Sequence, residues 1–310
     1  MNIKDILSRL VSDSGFSGLF AHWQSVVMIA LACLLLFLAI KKQFEPLLLV
    51  GIAFGMLLAN LPFSGLMHNE FYQQQPIDYG MVLHEGGLLD ILYLGVKLGI
   101  YPCLIFLGIG AMTDFGPMLA RPSSMLLGAA AQLGIYCAFI FARLMGFTPD
   151  EAASIGIIGG ADGPTAIYTT VRLAPHLLGP IAVAAYSYMA LIPLIQPPLM
   201  KLLTTNKERQ IVMKQAREVS KTEKIIFPIA VSVFCILLLP SVAPLIGCLM
   251  LGNLFRECGV VERLSETVQN ALMNIVTIFL SLTVGATSVG YLPGPDGITN
   301  IGFLSFKTIG

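Results

Sequence analysis

Charge is what this sequence has least of: 12% of its 310 residues are charged, against 56% that are hydrophobic, and the mean hydropathy is +0.81. Soluble domains carry about a quarter charged residues, so a soluble chain is excluded and a multi-pass membrane protein is expected. Acidic and basic residues cancel to a formal net charge of zero, which leaves no global basic field to hold nucleic acid. Paired cysteines are missing as well. Cys33, Cys103, Cys137, Cys235, Cys248 and Cys258 fall in no CxxC, and five of the six lie in apolar runs, where a thiol packs as a small hydrophobe. This argues against a disulfide framework and against protein-ligated zinc. His22, His68, His84 and His176 are equally scattered, without the HExxH spacing of a metallohydrolase. The N-terminus MNIKDILSRLVSDSGFSGLF lacks an apolar core followed by a small-residue cleavage site and does not read as a signal peptide. Within residues 1–23, Ile3, Ile6, Leu7, Leu10 and Val11 recur at helical spacing, as in an amphipathic helix lying on the membrane or packed at the terminus.

Long apolar runs dominate what is there. Stretches able to cross a bilayer, which takes roughly 20 residues, occur near 24–40, 46–62, 91–111, 124–145, 178–199, 225–251 and 268–289. They predict an all-α polytopic membrane protein, a single membrane domain over 1–310. A basic loop at 201–224 divides it into residues 24–200 and 225–310, which the family resemblance given below makes a first half and the start of a second. The run 153–171 differs from the others. Its sequence GIIGGADGPTAIY, from Gly156 to Tyr168, should break into two half-helices, because glycine loosens the backbone and Pro164 removes a donor.

The loop Lys201–Lys224 carries Lys207, Arg209, Lys214, Arg217 and Lys221 against Glu208, Glu218 and Glu223, and the positive-inside rule puts it in the cytoplasm. The Lys41–Lys42 turn and the loop ending at Arg121 belong on the same side. Whole spans counted from Arg121 to Lys201 give the wrong parity. A segment 153–171 that enters and leaves by the outer face repairs it; a fully spanning broken helix with a merged span elsewhere does so too. Pro62–Asp90 is then an outer polar connector. GNLFRECGVVERLSETVQN, with Arg256, Glu257, Glu262 and Arg263, reads as a short solvated interfacial helix rather than an ion pathway.

Asp162 is the residue with most chemical promise. A carboxylate in an apolar run is expensive in lipid and marks a functional site. Beside backbone carbonyls released by the break it suits a small cation such as sodium, and it can also carry a proton. An ion pair with Arg172 or Arg143 is the structural alternative. Thr165, three residues on, is a candidate ligand; Thr169 and Thr170 are expected to bond back to the preceding turn. Tyr186 and Tyr188, two apart on a helix, point about 160° away from each other, so at most one faces the site.

GIIGGADGPTAIY, AAYSYMALIPLIQPP and GNLFRECGVVERLSETVQNALMNIVTIFLSLTVG together resemble the membrane beta subunit of the sodium-pumping biotin-dependent decarboxylases, the group acting on oxaloacetate, methylmalonyl-CoA, glutaconyl-CoA and malonate. The resemblance implies an inverted-repeat transporter fold with an incomplete second half, because relatives continue through further spans where this chain stops at FLSFKTIG. It implies a carboxybiotin decarboxylase that couples release of carbon dioxide to sodium export in the plasma membrane of a prokaryote. Partners would be a biotin-bearing carboxyltransferase alpha subunit, a small membrane gamma subunit and lipid, in an oligomeric assembly without nucleic acid. Catalytic roles fall on Asp162 and Tyr188, with sodium held by Asp162 and Thr165. The rival readings are a non-enzymatic carrier, such as a cation-proton antiporter or a sodium-organic acid symporter, and a structural scaffold.

Overall fold

The computed structural model describes residues 14–72, 76–160, 162–212, 217–290, 292–293 and 299–300. The periodic residues Ile3 to Val11, and Lys214, lie outside the described residues. Apart from a two-residue antiparallel ladder, Leu292 opposite Asn300 and Pro293 opposite Thr299, the described chain is helical.

Helices α1 (Trp23–Lys41) and α2 (Pro46–Ala59) occupy the first two apolar runs. The third run is not one straight helix but a pair bent by 62°. It divides into α3 (Leu88–Lys97) and α4 (Ile100–Met112) at Gly99, whose φ of +75° is left-handed. Glycine adopts that conformation without a Cβ clash, and a hydropathy average cannot register it. Then come α5 (Met125–Leu144), the half-helices α6 (Pro149–Gly156) and α7 (Gly163–Leu173) around a 3-10 turn at Ile157–Gly160, and α8 (Leu178–Leu203).

The apolar run 225–251 is likewise two helices, α9 (Lys221–Leu238) and α10 (Ala243–Cys258), joined by a turn at Pro240–Val242 and packed on each other as a hairpin. Leu239 leaves helical geometry directly before Pro240, as the residue preceding a proline tends to. The expected interfacial helix is absent. Gly252–Cys258 closes α10, Gly259 turns the chain at φ +69°, and the next residues open α11 (Glu262–Ala286), which includes a π-helical stretch at Val268–Leu272. The mixed charges there mark a turn between two long helices.

Two compact units result. The first holds residues 1–98, 166–187 and 278–310. In it α1 and α2 form a hairpin, and α2 lies parallel to the end of α11. A Cβ on Gly55 would fall 2.0 Å from the Leu282 carbonyl oxygen, and one on Gly285 equally near that of Ile52. Only hydrogens allow this approach, the usual means of packing helices in lipid. Asn60 finishes the contact: its amide donates to the Met56 and Ser288 carbonyls, each at 2.8 Å, and accepts from Gly290 N–H at 3.0 Å. The polar connector before α3 is pinned here by Asp90. Its fully buried carboxylate accepts from His68 Nδ1 at 2.7 Å, from His68 N–H and from Gly87 N–H.

The second unit holds residues 99–165 and 188–277. Its hairpin is α9 with α10, and the helix parallel to α10 is α4. A Cβ on Gly110 would stand 1.9 Å from the Leu249 carbonyl oxygen, and one on Gly252 as close to that of Leu107. Asn253 finishes this contact, donating to the Thr113 carbonyl at 2.9 Å. Each unit therefore combines a hairpin with a parallel helix from a distant part of the sequence.

Candidate functional site: the break at Asp162

Helix α6 starts with a capping box. Thr148 N–H donates to Glu151 Oε2 at 2.8 Å, Glu151 N–H donates to Thr148 Oγ1 at 3.3 Å, and Pro149 fills the first turn, where its missing donor costs nothing. The helix lasts eight residues and tightens into the 3-10 turn. Its small residues meet the middle of α5. A Cβ on Gly156 would lie 3.1 Å from the Ile135 carbonyl, Gly159 faces the Ile135 backbone, and Gly160 the tip of the Ile135 side chain. Ile135 is central in a helix roughly 30 Å long, so the break lies near mid-span.

Asp162 directly precedes α7, in the N-cap position, with Pro164 second in the helix. Its Oδ2 accepts from Thr165 Oγ1 at 2.5 Å. The helix dipole places partial positive charge at this end. On the other flank the last carbonyls of α6 and its turn are those a helix end leaves short of partners. The carboxylate and the hydroxyl are hard oxygen groups of the kind that suits a small cation.

The two arginines of the structural alternative have other partners. Arg172 stacks over the Tyr168 ring at 4.3 Å, and Arg143 donates to the Phe147 carbonyl at 2.5 Å. Thr170 bonds back to Ala166 at 2.7 Å as expected, whereas Thr169 makes no side-chain hydrogen bond among the described residues. Tyr186 is fully buried; Tyr188 is 42% exposed, and its hydroxyl has no hydrogen bond among the described residues. The structure thus joins Asp162 to Thr165 and records no bond from Tyr188 to either.

Sequence reasoning passed over Asn253 and Asp114. The available signal was weak: an asparagine behind Gly252 in an apolar run, and an aspartate two residues before Gly116. Asp114 Oδ1 accepts from Gly116 N–H at 2.9 Å and pairs with Lys224 at 3.3 Å. The Gly116 hydrogen bond holds its carboxyl below the usual aspartate range; burial opposes it, and the Lys224 hydrogen bond and the Lys224 and Arg256 charges assist.

Comparison with known proteins gives a consistent picture. The family model described as "Na+-transporting oxaloacetate decarboxylase beta subunit" matches residues 24–292. The chain is 59% identical over 285 residues to the methylmalonyl-CoA decarboxylase subunit beta of Propionigenium modestum, covering 89% of this chain and 72% of that protein. It is 54% identical over 281 residues to the glutaconyl-CoA decarboxylase subunit beta of Acidaminococcus fermentans, covering 91% and 70%. Identity to the oxaloacetate decarboxylase beta chain of Klebsiella pneumoniae is 48% over 349 residues, covering 97% and 80%.

Proposed function

The chain belongs to the family of sodium-transporting oxaloacetate decarboxylase beta subunits, and from that premise we propose that Asp162, Thr165 and Tyr188 carry its chemistry. It is a multi-pass membrane subunit of a biotin-dependent decarboxylase complex that couples decarboxylation to sodium export. The ion-coupled carrier without enzymatic activity is not favoured.

In the proposed reading carboxybiotin is delivered from the cytoplasm by a biotin-bearing alpha subunit, with a small gamma subunit completing the assembly. Its decarboxylation takes up one proton at the ureido nitrogen and yields biotin and carbon dioxide. Sodium on Asp162 displaces a proton held there or on Tyr188, so ion entry and proton supply are one event. Thr165 donates to the carboxylate and keeps its lone pairs for the ion. Exporting one charge against 100 mV costs about 2.3 kcal/mol, which decarboxylation must supply through a change of access.

The broken segment is re-entrant in this reading. With Arg121 and Lys201 both cytoplasmic, α5 ends and α8 begins at the outer face. Helices α6 and α7, about 12 and 16 Å long, then descend to mid-span and return. Asp162 thus lies at the floor of an outer hairpin.

The observation that carries the assignment is the Asp162–Thr165 pair at the mid-span break. Asp162→Asn in the assembled complex should lower sodium-dependent carboxybiotin decarboxylation at least about 100-fold, roughly 2.7 kcal/mol in barrier, with normal amounts of complex in the membrane. Near-normal turnover would refute the assignment.

A further inference from the structure

The second unit contains two groups of helices. Helices α4, α9 and α10 pack tightly together, while α5 packs on α6 and the turn leading to Asp162. Between them runs the linker from Thr113 to Ser124, and it is held by side chains. Arg256 donates to the Met112 carbonyl at 2.6 Å, Asn253 to the Thr113 carbonyl at 2.9 Å, and Arg217 to the Leu119 carbonyl at 3.4 Å. Lys224 Nζ lies 3.3 Å from Asp114 Oδ1 and 3.7 Å from Glu257 Oε2.

The placement of Lys224 and Glu257 runs against helix electrostatics. Lys224 is in the first turn of α9, where a cation is disfavoured, and Glu257 in the last turn of α10, where an anion is. Each compensates the other across the hairpin. The pair is also partly shielded, with 28% of the Lys224 side chain and 13% of Glu257 exposed, so solvent screens it less than a surface contact. A Cβ on Gly116 would come within 3.2 Å of Lys224 Cε, so the linker backbone rests on the lysine itself.

We propose that Lys224 is a positioning residue for the ion site: by bridging Asp114 and Glu257 it fixes the linker at Thr113–Arg121, and through α5 the depth and attitude of the turn that presents Asp162. Ile135 in α5 is the element in contact with Gly156, Gly159 and Gly160, so a shift of the linker is passed to the break without any contact between Lys224 and the ion. This rests on Asp162 being the sodium site. A lysine that merely staples two helices would alter the amount of complex, or its maximal rate, at every sodium concentration alike.

The experiment measures decarboxylation against sodium concentration in membranes holding the assembled complex, with complex content quantified. Lys224→Met should raise the half-saturating sodium severalfold and Lys224→Arg should restore it to near the wild-type value. Asp114→Asn should reproduce the shift, and the double variant Asp114→Asn with Lys224→Met should be little worse than either alone, since both break one bridge. Unchanged half-saturating sodium in Lys224→Met, with or without a lower maximal rate, overturns the proposal. If that variant does not assemble, Asp114→Asn decides the question in the same way. Asp162→Asn runs alongside: if it is active, the ion-site reading fails, whereas an inactive Asp162→Asn beside a wild-type sodium response in Lys224→Met removes only the positioning role.

Discussion

The Thr165 hydroxyl donates to Asp162 Oδ2 at 2.5 Å across the first turn of α7, so the carboxylate has a partner within its own helix. A hydrogen bond to a charged group is worth roughly 1.5–3 kcal/mol, and Thr165 is the donor the sequence supplies three residues on. Pro164 has no N–H to donate, and the Thr165 hydroxyl supplies a bond to the carboxylate.

Thr165→Val keeps the side-chain shape and removes that bond. It should raise the half-saturating sodium about tenfold, equivalent to about 1.4 kcal/mol, while Thr165→Ser stays near wild type. Sodium titration of decarboxylation in the assembled complex reads both. Equal sodium responses in the two variants would reduce Thr165 to a packing residue.

Tyr188→Phe retains the ring and loses the phenolic proton. If Tyr188 relays the proton, turnover should fall about 100-fold or more, with assembly intact because the hydroxyl makes no bond among the described residues. Sodium and proton compete for one charge in this scheme. Raising pH should therefore lower the half-saturating sodium of the wild type. Rates over a grid of pH and sodium check this, and a sodium requirement indifferent to pH contradicts the coupling.

The re-entrant path is tested by single-cysteine labelling of sealed vesicles. Thr148→Cys and His176→Cys should react with an impermeant reagent from the outer side, and Lys207→Cys from the cytoplasmic side alone. Labelling of positions 148 and 176 from opposite sides would make the broken segment a full crossing.

Asp114 has its carboxyl held low, first by the Gly116 hydrogen bond and then by Lys224. A group depressed in the folded state contributes stability that is complete above its unfolded value, near 4, and that disappears as pH falls through the folded one. Asp114→Asn should therefore destabilise the detergent-solubilised complex at pH 6, and the gap from wild type should close below about pH 4. Added salt should narrow the gap at pH 6, because Asp114 is largely exposed. Thermal unfolding over that pH range measures it, and a gap that persists into acid would show that the carboxylate charge is not responsible.

The sequence by itself determined the class of protein and the place of the break at Asp162. Scarce charge and long apolar runs require helices in lipid, because a backbone without water must satisfy its own polar groups. Glycine with Gly163-Pro164 around Asp162 requires a break, since these effects act over a few neighbouring residues. The motif GGADGPTAIY was local enough to identify the family. What only the tertiary structure decided depended on contacts distant in sequence or on backbone angles that hydropathy does not encode. The left-handed φ at Gly99 bent one apparent span, and the turn at Pro240 folded another into a hairpin. The approach of Gly252 to Leu107 and the bridge from Lys224 to Asp114, 110 residues away in sequence, follow from how the helices pack. Packing partners are selected by shape and charge in three dimensions, and periodicity along one chain contains neither.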